Sequence, residues 1–397
     1  MEKVSARLAA LAESQTLAMS QKSKDLKAQG HNVIDLSVGE PDFQTPDFVK
    51  NAAKKAIDDN FSFYSPVPGY RDLLEAISAK LKRENNLDYA PEQIVVSNGA
   101  KQSLTNILLC LVDKDDEVIV PAPYWVSYVE LVKLAEGKSV VIETNIKDNF
   151  KITIKQLEEA ITPKTKMLIL CSPSNPTGSI YTHDELVAIS KVIEKHPDIF
   201  VISDEIYEHI NFVGKHESFA QFESIRDRVI IINGVSKGYA MTGWRIGYSA
   251  SAKWIAKASI KLQGQTTSGA SSIAQKASTA AINSDGSYPA EMRKGFEKRR
   301  NFMVDALSKI KGFNTNVPQG AFYIFPEISY FFGKTDGKTT IKNSDDFAMF
   351  LLNTAHVALV PGSAFGAPDY IRFSYAASDA QLKDACERIA KAVELLK

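Results

Sequence analysis

The chain has 397 residues, with 47 Lys plus Arg against 47 Asp plus Glu, so its formal net charge is zero. Hydrophobic residues make up 44% and charged residues 24%, a balance that excludes a mainly disordered chain. Neutral charge excludes a general nucleic-acid binder, and no apolar run reaches the ~18 residues needed to cross a bilayer.

The length fits two domains with a large core. Cys110, Cys171 and Cys386 are too few and too scattered for a disulfide framework or a zinc site, which points to reduced thiols in the cytoplasm. The N-terminal stretch MEKVSARLAALAESQTLAMS is amphipathic. It carries Glu2 and Glu13 and has no A-x-A site after an apolar run, so a leader peptide is not expected. The six histidines show no metal spacing and no G-x-G-x-x-G follows a strand, so neither a metal nor a dinucleotide is expected.

Taken in chain order, the first forty residues hold a helical pattern and then VIDLSVGEPDF. Short apolar runs follow: IVVS (94–97), EVIV (117–120), SVVIE (139–143), MLILC (167–171), FVIS (200–203), VIII (229–232) and RIGYSA (245–250). They read as strands buried on both faces, as in a parallel sheet. Helical patterns at 100–112, 124–136 and 183–195 separate several of them, giving the alternation of an α/β domain. From Pro289 to about Ile310 a charged helical pattern reads as a connector. Mixed strands (FYIFP, ALVP, IRFSY) and a closing helix from Asp379 come last. The division expected is a large α/β domain over 47–290 and a smaller α+β domain built from 1–46 and 291–397.

Ligands of open α/β sheets bind beyond the carboxyl ends of the strands, so the residues after each strand matter most. After IVVS, Gly99 and Ala100 open a helix whose free amides suit a phosphate, and Lys101 in its first turn points to a nearby anion. Read alone, this is equally an ordinary strand-to-helix turn. After MLILC comes SPSNPTG with Asn175, which alone is turn punctuation. After FVIS comes Asp204, a carboxylate that needs a cation if it is buried and that also suits a helix N-cap. After VIII comes NGVSKG, with Lys237 in a turn of small residues and Arg245 eight residues beyond. A desolvated lysine loses part of its pKa of roughly 10.4 and becomes a nucleophile for carbonyl cofactors. Lysine, aspartate and phosphate loop are the protein parts that pyridoxal phosphate needs.

SVGEPDF, YSPVPGYRDL, PYWVSY, SPSNPTG, VISDEIYE, SKGYAMTGWRIGY, PQGAFY and RFSYA occur in this order. Together they resemble the class I pyridoxal-phosphate aminotransferases, most closely the bacterial aspartate aminotransferase subgroup, over essentially the whole chain. The resemblance implies the fold type I architecture of pyridoxal-phosphate enzymes, a homodimer with shared active sites, and amino acids and 2-oxo acids as substrates. It makes Lys237 the residue that binds pyridoxal 5'-phosphate covalently and shuttles the proton, and Asp204 the partner of the ring nitrogen. Asn175 and Tyr207 take the ring's phenolic oxygen, and Trp125 stacks on its face. Gly99, Ala100, Lys101, Ser236 and Arg245 fall at the phosphate end, with Tyr64 reaching the neighbouring subunit's phosphate. Arg372 takes the substrate α-carboxylate, Gly39 lines the substrate, and Lys101 takes the distal carboxylate of a dicarboxylic substrate. The expected reaction is aspartate with 2-oxoglutarate; broader action on aromatic amino acids or prephenate is the alternative. Two departures stand out. Gly234 replaces a phosphate-binding serine of many relatives, and Leu11-Ala12-Glu13-Ser14 lacks a basic residue found in some prephenate-accepting members.

A rival reading takes Gly234-Val235-Ser236-Lys237-Gly238 as the G-x-S-x-G elbow of a serine hydrolase, with Asp346 and His356 in the right order. YAMTGWRIGY is a poor helix to follow such an elbow. A binding module that kept the fold, or a lyase using the same cofactor, are further rivals; stoichiometric formation of keto acid and glutamate from an amino donor and 2-oxoglutarate separates them. His209, close to Tyr207, reads as structural.

Overall fold

The computed structural model describes residues 4–397. The first three residues of the N-terminal amphipathic stretch, Glu2 among them, lie outside that range. The strands are β1 (Ile34–Asp35), β2 (Ile94–Asn98), β3 (Glu117–Ala122), β4 (Lys138–Glu143), β5 (Thr165–Cys171), β6 (Phe200–Asp204), β7 (Val229–Gly234), β8 (Ile246–Ala250), β9 (Tyr323–Ile324), β10 (Val357–Ala358), β11 (Val360–Pro361) and β12 (Ile371–Ser374). Each apolar run of the middle of the chain became a strand of one seven-stranded sheet, in the order β2-β8-β7-β6-β5-β3-β4. The pairs among β3, β4, β5, β6 and β7 are parallel, and β8 runs antiparallel to both β2 and β7.

The strand β7 shows why continuous apolar runs suit this sheet. Val229 and Ile231 join one buried cluster, and Ile230 and Ile232 join another on the opposite face. Successive side chains alternate across a strand, so a strand covered on both sides needs an apolar residue at every position. Each isoleucine buried in this way contributes about 1.5–3 kcal/mol.

Two runs depart from expectation. SVVIE forms β4 at the edge of the sheet, and Val141 is exposed. With only one neighbouring strand, it leaves Lys138 and Glu143 in solvent as well. Arg245 is not part of its strand: it takes a left-handed conformation (φ 57°, ψ 50°), and β8 begins at Ile246.

The helices sit where the 3.6-residue pattern falls. Ala100–Leu111 follows β2, and His183–Glu194 follows β5. The latter is capped by a reciprocal pair: Thr182 accepts from the Glu185 amide, and the Glu185 carboxylate accepts from the Thr182 amide at 2.8 Å. The connector is the helix Ser287–Ser308, entered through Gly286 at φ 78°. Beyond it, β11, β12 and β9 form an antiparallel sheet, and β1 pairs with β10 in parallel. Met19, Val33, Ile34 and Leu36 pack in one cluster with residues between Met292 and Leu396. The N-terminal segment is therefore built into the same core as the C-terminal part.

Candidate active site

The carboxyl ends of β2, β5, β6 and β7 open on one cavity of about 370 Å³. Gly39, Ala100, Lys101, Trp125, Asn175, Asp204, Tyr207, Ser236, Lys237, Arg245 and Arg372 all line it. Tyr64 does not. Its side chain stands on the surface, 97% exposed.

Lys237 reaches the cavity from the turn after β7. Its Nζ donates to the Gly39 carbonyl at 2.6 Å and lies 5.9 Å from the centre of the Tyr207 ring. Burial pulls its pKa down to about 8; the Glu40 carboxylate opposes that pull, and Arg245 and Arg372 add to it. Asp204, at the end of β6, is 4% exposed. Its Oδ2 accepts from the Tyr128 hydroxyl at 2.6 Å and its Oδ1 from the Ile206 amide at 3.3 Å. Burial raises this carboxyl to about 6, and the two hydrogen bonds restrain the rise.

Arg372 comes from β12 and is 2% exposed. Its Nη1 donates to Asn175 Oδ1 at 2.9 Å and its Nη2 to the Ser37 carbonyl at 2.5 Å, while its Nε has no partner. The guanidinium lies 4.5 Å from the Tyr323 ring centre and 4.9 Å from that of Phe365. It contacts no carboxylate among the described residues. A buried cation held only by neutral oxygens and aromatic faces is built to receive an anion.

The end of the cavity beside Gly99 is formed by close backbone approach. Gly99 has φ 82°, and a Cβ there would collide with the Arg245 guanidinium. A Cβ at Gly247 would strike the Ala100 amide. Both glycines let the start of the helix Ala100–Leu111 lie open beside Arg245, whose Nη1 and Nη2 bond the Thr242 and Asn98 carbonyls at 3.0 and 3.3 Å. Lys101 is exposed at the rim, its Nζ 4.9 Å from the Trp125 ring centre. Partial desolvation, and then the Arg245 charge, lower its pKa.

Gly234, where the resemblance led to the expectation of a serine, has a backbone reason. A Cβ would come within 2.7 Å of the Ile246 carbonyl and 2.8 Å of the Gly247 Cα. The hydrolase reading fails on geometry. Ser236 lines the cavity, but Asp346 is occupied at the start of the helix Ser344–Thr354, accepting from the Lys342 amide at 3.0 Å. His356 packs against His31, with ring centres 4.7 Å apart. Neither lines the cavity, so the acid and histidine of that reading do not reach Ser236.

Several wall residues escaped the sequence reading. Tyr323 bonds the Tyr207 hydroxyl at 2.8 Å, and a Cβ on Gly39 would come within 2.5 Å of its hydroxyl. It stands inside PQGAFY, and Tyr128 stands three residues after Trp125 inside PYWVSY; those motifs were the available signal. Thr16, Leu17 and Ser20 also line the cavity, from the helix Gln15–Ala28, and no local pattern marks them.

The family model described as "Aminotransferase class I and II" matches residues 31–389. A Rickettsia bellii protein named probable aspartate/prephenate aminotransferase is 48% identical over 395 residues, covering 99% of both chains. The aspartate aminotransferase of Bacillus subtilis is 45% identical, again over 99% of both. Among solved structures, the aspartate aminotransferase from Rhizobium meliloti superposes with a TM-score of 0.97 at 41% identity over all of both chains. That from Thermus thermophilus with maleate gives 0.92 at 37% identity, over 99% of this chain and 100% of the other. Full-length identity at this level, on a matching sheet, makes the chain a member of the class I and II aminotransferase family.

Proposed function

We propose that this chain is an aspartate aminotransferase. It passes the amino group of L-aspartate to 2-oxoglutarate by a ping-pong exchange, using pyridoxal 5'-phosphate held by Lys237. One observation carries the reading: a mostly buried lysine, a buried aspartate and a buried arginine free of any carboxylate face the same cavity.

The residues fit this cofactor. Gly99 has no side chain because the Arg245 guanidinium fills the space that a Cβ would take, which sets that cation against the start of the helix Ala100–Leu111, and the partnerless Arg372 Nε leaves a second cation for the substrate's carboxylate. Gly99, the Ala100 and Lys101 amides, Ser236 and Arg245 would hold the phosphate, with Tyr64 of the partner subunit. Asp204 would take the ring nitrogen, Asn175 and Tyr207 the phenolic oxygen, and Trp125 the ring face. When bound, pyridoxal phosphate supplies an aldehyde that amines capture and a ring that draws electrons from the substrate's α-carbon.

The protein's own part follows from the geometry. With a pKa of about 8, Lys237 keeps an appreciable neutral fraction at pH 7–8, so Nζ is both a nucleophile and a base for the α-carbon proton. Asp204, at about 6, is still a carboxylate at neutral pH and can hold a proton-bearing nitrogen opposite it. Arg372 would grip the α-carboxylate with its planar fork next to Gly39, and Lys101 the distal carboxylate.

A second reading, broader action on aromatic amino acids or prephenate, is supported by the name of the Rickettsia relative and by the apolar Leu17 and Val38 in the cavity wall. We take 47–290 as the cofactor domain and 1–46 with 291–397 as the smaller one, in a cytoplasmic homodimer with shared sites. The exposure of Tyr64 and the mixed N- and C-terminal core support this. No helix among the described residues is long and apolar enough to cross a membrane.

The test is chemical. Purified protein with aspartate and 2-oxoglutarate should yield oxaloacetate and glutamate in equal amounts. Borohydride should fix the cofactor on Lys237, and the Lys237→Ala variant should lose the adduct with at least ~10⁴-fold of the rate. An adduct on another lysine, or a protein that stays colourless with pyridoxal phosphate, refutes the reading.

A further inference from the structure

Behind the cavity wall lies a buried charge cluster that the function just described does not use. The backbone after β6 turns tightly, with the Glu208 amide on the Glu205 carbonyl at 2.9 Å and the Ile210 amide on the Tyr207 carbonyl at 2.8 Å. Residues three apart share a side of such a turn. Asp204 and Tyr207 therefore face the cavity, while Glu205 and Glu208 point the other way, into the protein. Glu208 Oε1 accepts from the Lys80 ammonium and from Asn233 Nδ2 at 2.7 Å; its Oε2 accepts from Asn85 Nδ2 at 3.1 Å. Lys80 also donates to Asn85 Oδ1 at 2.9 Å. All four residues are buried. Burial would raise the Glu208 carboxyl, but Lys80, with His209 and His216 beside it, outweighs burial and holds it well below the usual carboxylate range. Glu205, Glu208 and His216 bring donor atoms within 4.8 Å of one another, and the cation already serving that cluster is Lys80.

A buried ion pair is a weak source of stability, since desolvation cancels much of the attraction. What distinguishes this one is what it joins. Glu208 directly follows Tyr207. Asn233 lies near the end of β7, four residues before Lys237, and its Oδ1 accepts from the Gly234 amide at 2.7 Å. The 2.7 Å bond between Asn233 and Glu208 thus ties the strand end that delivers the lysine to the turn that delivers the tyrosine. Lys80, from the helix Arg71–Asn85, anchors the bond from below.

We propose that Asn233 and Glu208, anchored by Lys80, are positioning residues that fix the Tyr207 hydroxyl relative to Lys237 Nζ and so set how tightly the bound cofactor holds its proton at that nitrogen. The inference rests on the pyridoxal-phosphate reading above. Its readout is the visible band of the bound cofactor, titrated with pH in the holoenzyme.

Asn233→Ala removes the tie and leaves the Lys80–Glu208 pair. The titration midpoint should move by about 0.5 unit or more, with kcat down ~10-fold and KM for aspartate within about 2-fold of wild type. Asn85→Ala removes a different hydrogen bond to the same carboxylate, at Oε2, and leaves the Asn233–Glu208 tie in place; its midpoint should stay within about 0.2 unit of wild type. Asn233→Ser, too short to reach Glu208 but polar enough to serve the Gly234 amide, carries the expectation for Asn233→Ala if that variant does not fold. A lowered Tm with an unmoved midpoint in the Asn233 variants, or an Asn85→Ala midpoint shifted as far as theirs, overturns the proposal and leaves the cofactor reading intact. A wild-type protein with no titrating band overturns both.

Discussion

Tyr128 donates a 2.6 Å hydrogen bond to Asp204 Oδ2 inside a fully enclosed part of the wall. Burial, and then the Asp204 charge, push the Tyr128 phenol well above its ordinary pKa, so it remains a neutral donor at every working pH. A donor of this kind favours the charged form of the acid it faces. Tyr128 thus restrains the rise that burial imposes on the Asp204 carboxyl.

This pair gives a pH prediction with a definite sign. The folded pKa of Asp204, about 6, lies above its unfolded value of 3.8. Its stabilising share is therefore full below pH 4 and is lost as pH rises through 6. Cofactor-free Asp204→Asn should be more stable than wild type at pH 8 by roughly 2–3 kcal/mol, and the gap should close below pH 4. Urea unfolding at the two pH values measures it. The same variant should lose at least ~10³-fold in kcat. Tyr128→Phe should move the acid limb of the kcat/KM profile upward by about one unit.

Arg372→Lys keeps the charge and discards the planar fork. The prediction is a ~10²-fold loss in kcat/KM for aspartate and for 2-oxoglutarate alike, because both present the same α-carboxylate. Steady-state kinetics with each substrate varied in turn decide it; a loss confined to one of them would move Arg372 away from the shared group.

Lys101→Ala should discriminate between donors. Aspartate and glutamate should lose roughly 10-fold or more in kcat/KM, and an aromatic donor less than about 3-fold. Equal losses would assign the ammonium to the cofactor end, where Arg245 also lies.

Gly234→Ser tests the close backbone approach at the end of β7. The new Cβ would press on the Ile246 carbonyl and the Gly247 Cα, both backbone atoms that cannot swing aside. The expected cost is about 1–3 kcal/mol, seen as a lower Tm, with no gain in cofactor affinity. Tighter cofactor binding at unchanged Tm would show that the backbone yields there.

The sheet was legible because its strands carry apolar residues at every position, a pattern that few other structures require. The main cavity residues were legible because they follow those strands directly: Asp204 after FVIS, Lys237 after VIII. Legibility failed where tertiary neighbours decide. SVVIE looks as apolar as its sister runs, and only its place at the sheet's margin leaves Val141 in water. Tyr128 and Tyr323 gain their roles from partners 76 and 116 residues away. Lys80 looks like any charged helix residue until Glu208, 128 residues on, closes over it.

One strand of the sheet is traversed backwards, and this decides where a cation can be delivered. A strand running with its neighbours would start at the far rim, and whatever preceded it would be stranded some five residues from the chemistry. Because β8 starts where β2 and β7 finish, its leading residue, Arg245, is deposited at the mouth itself, opposite Asn98 and Gly99. A single reversal of direction lets the chain furnish the opening from a strand's beginning as well as from its neighbours' ends.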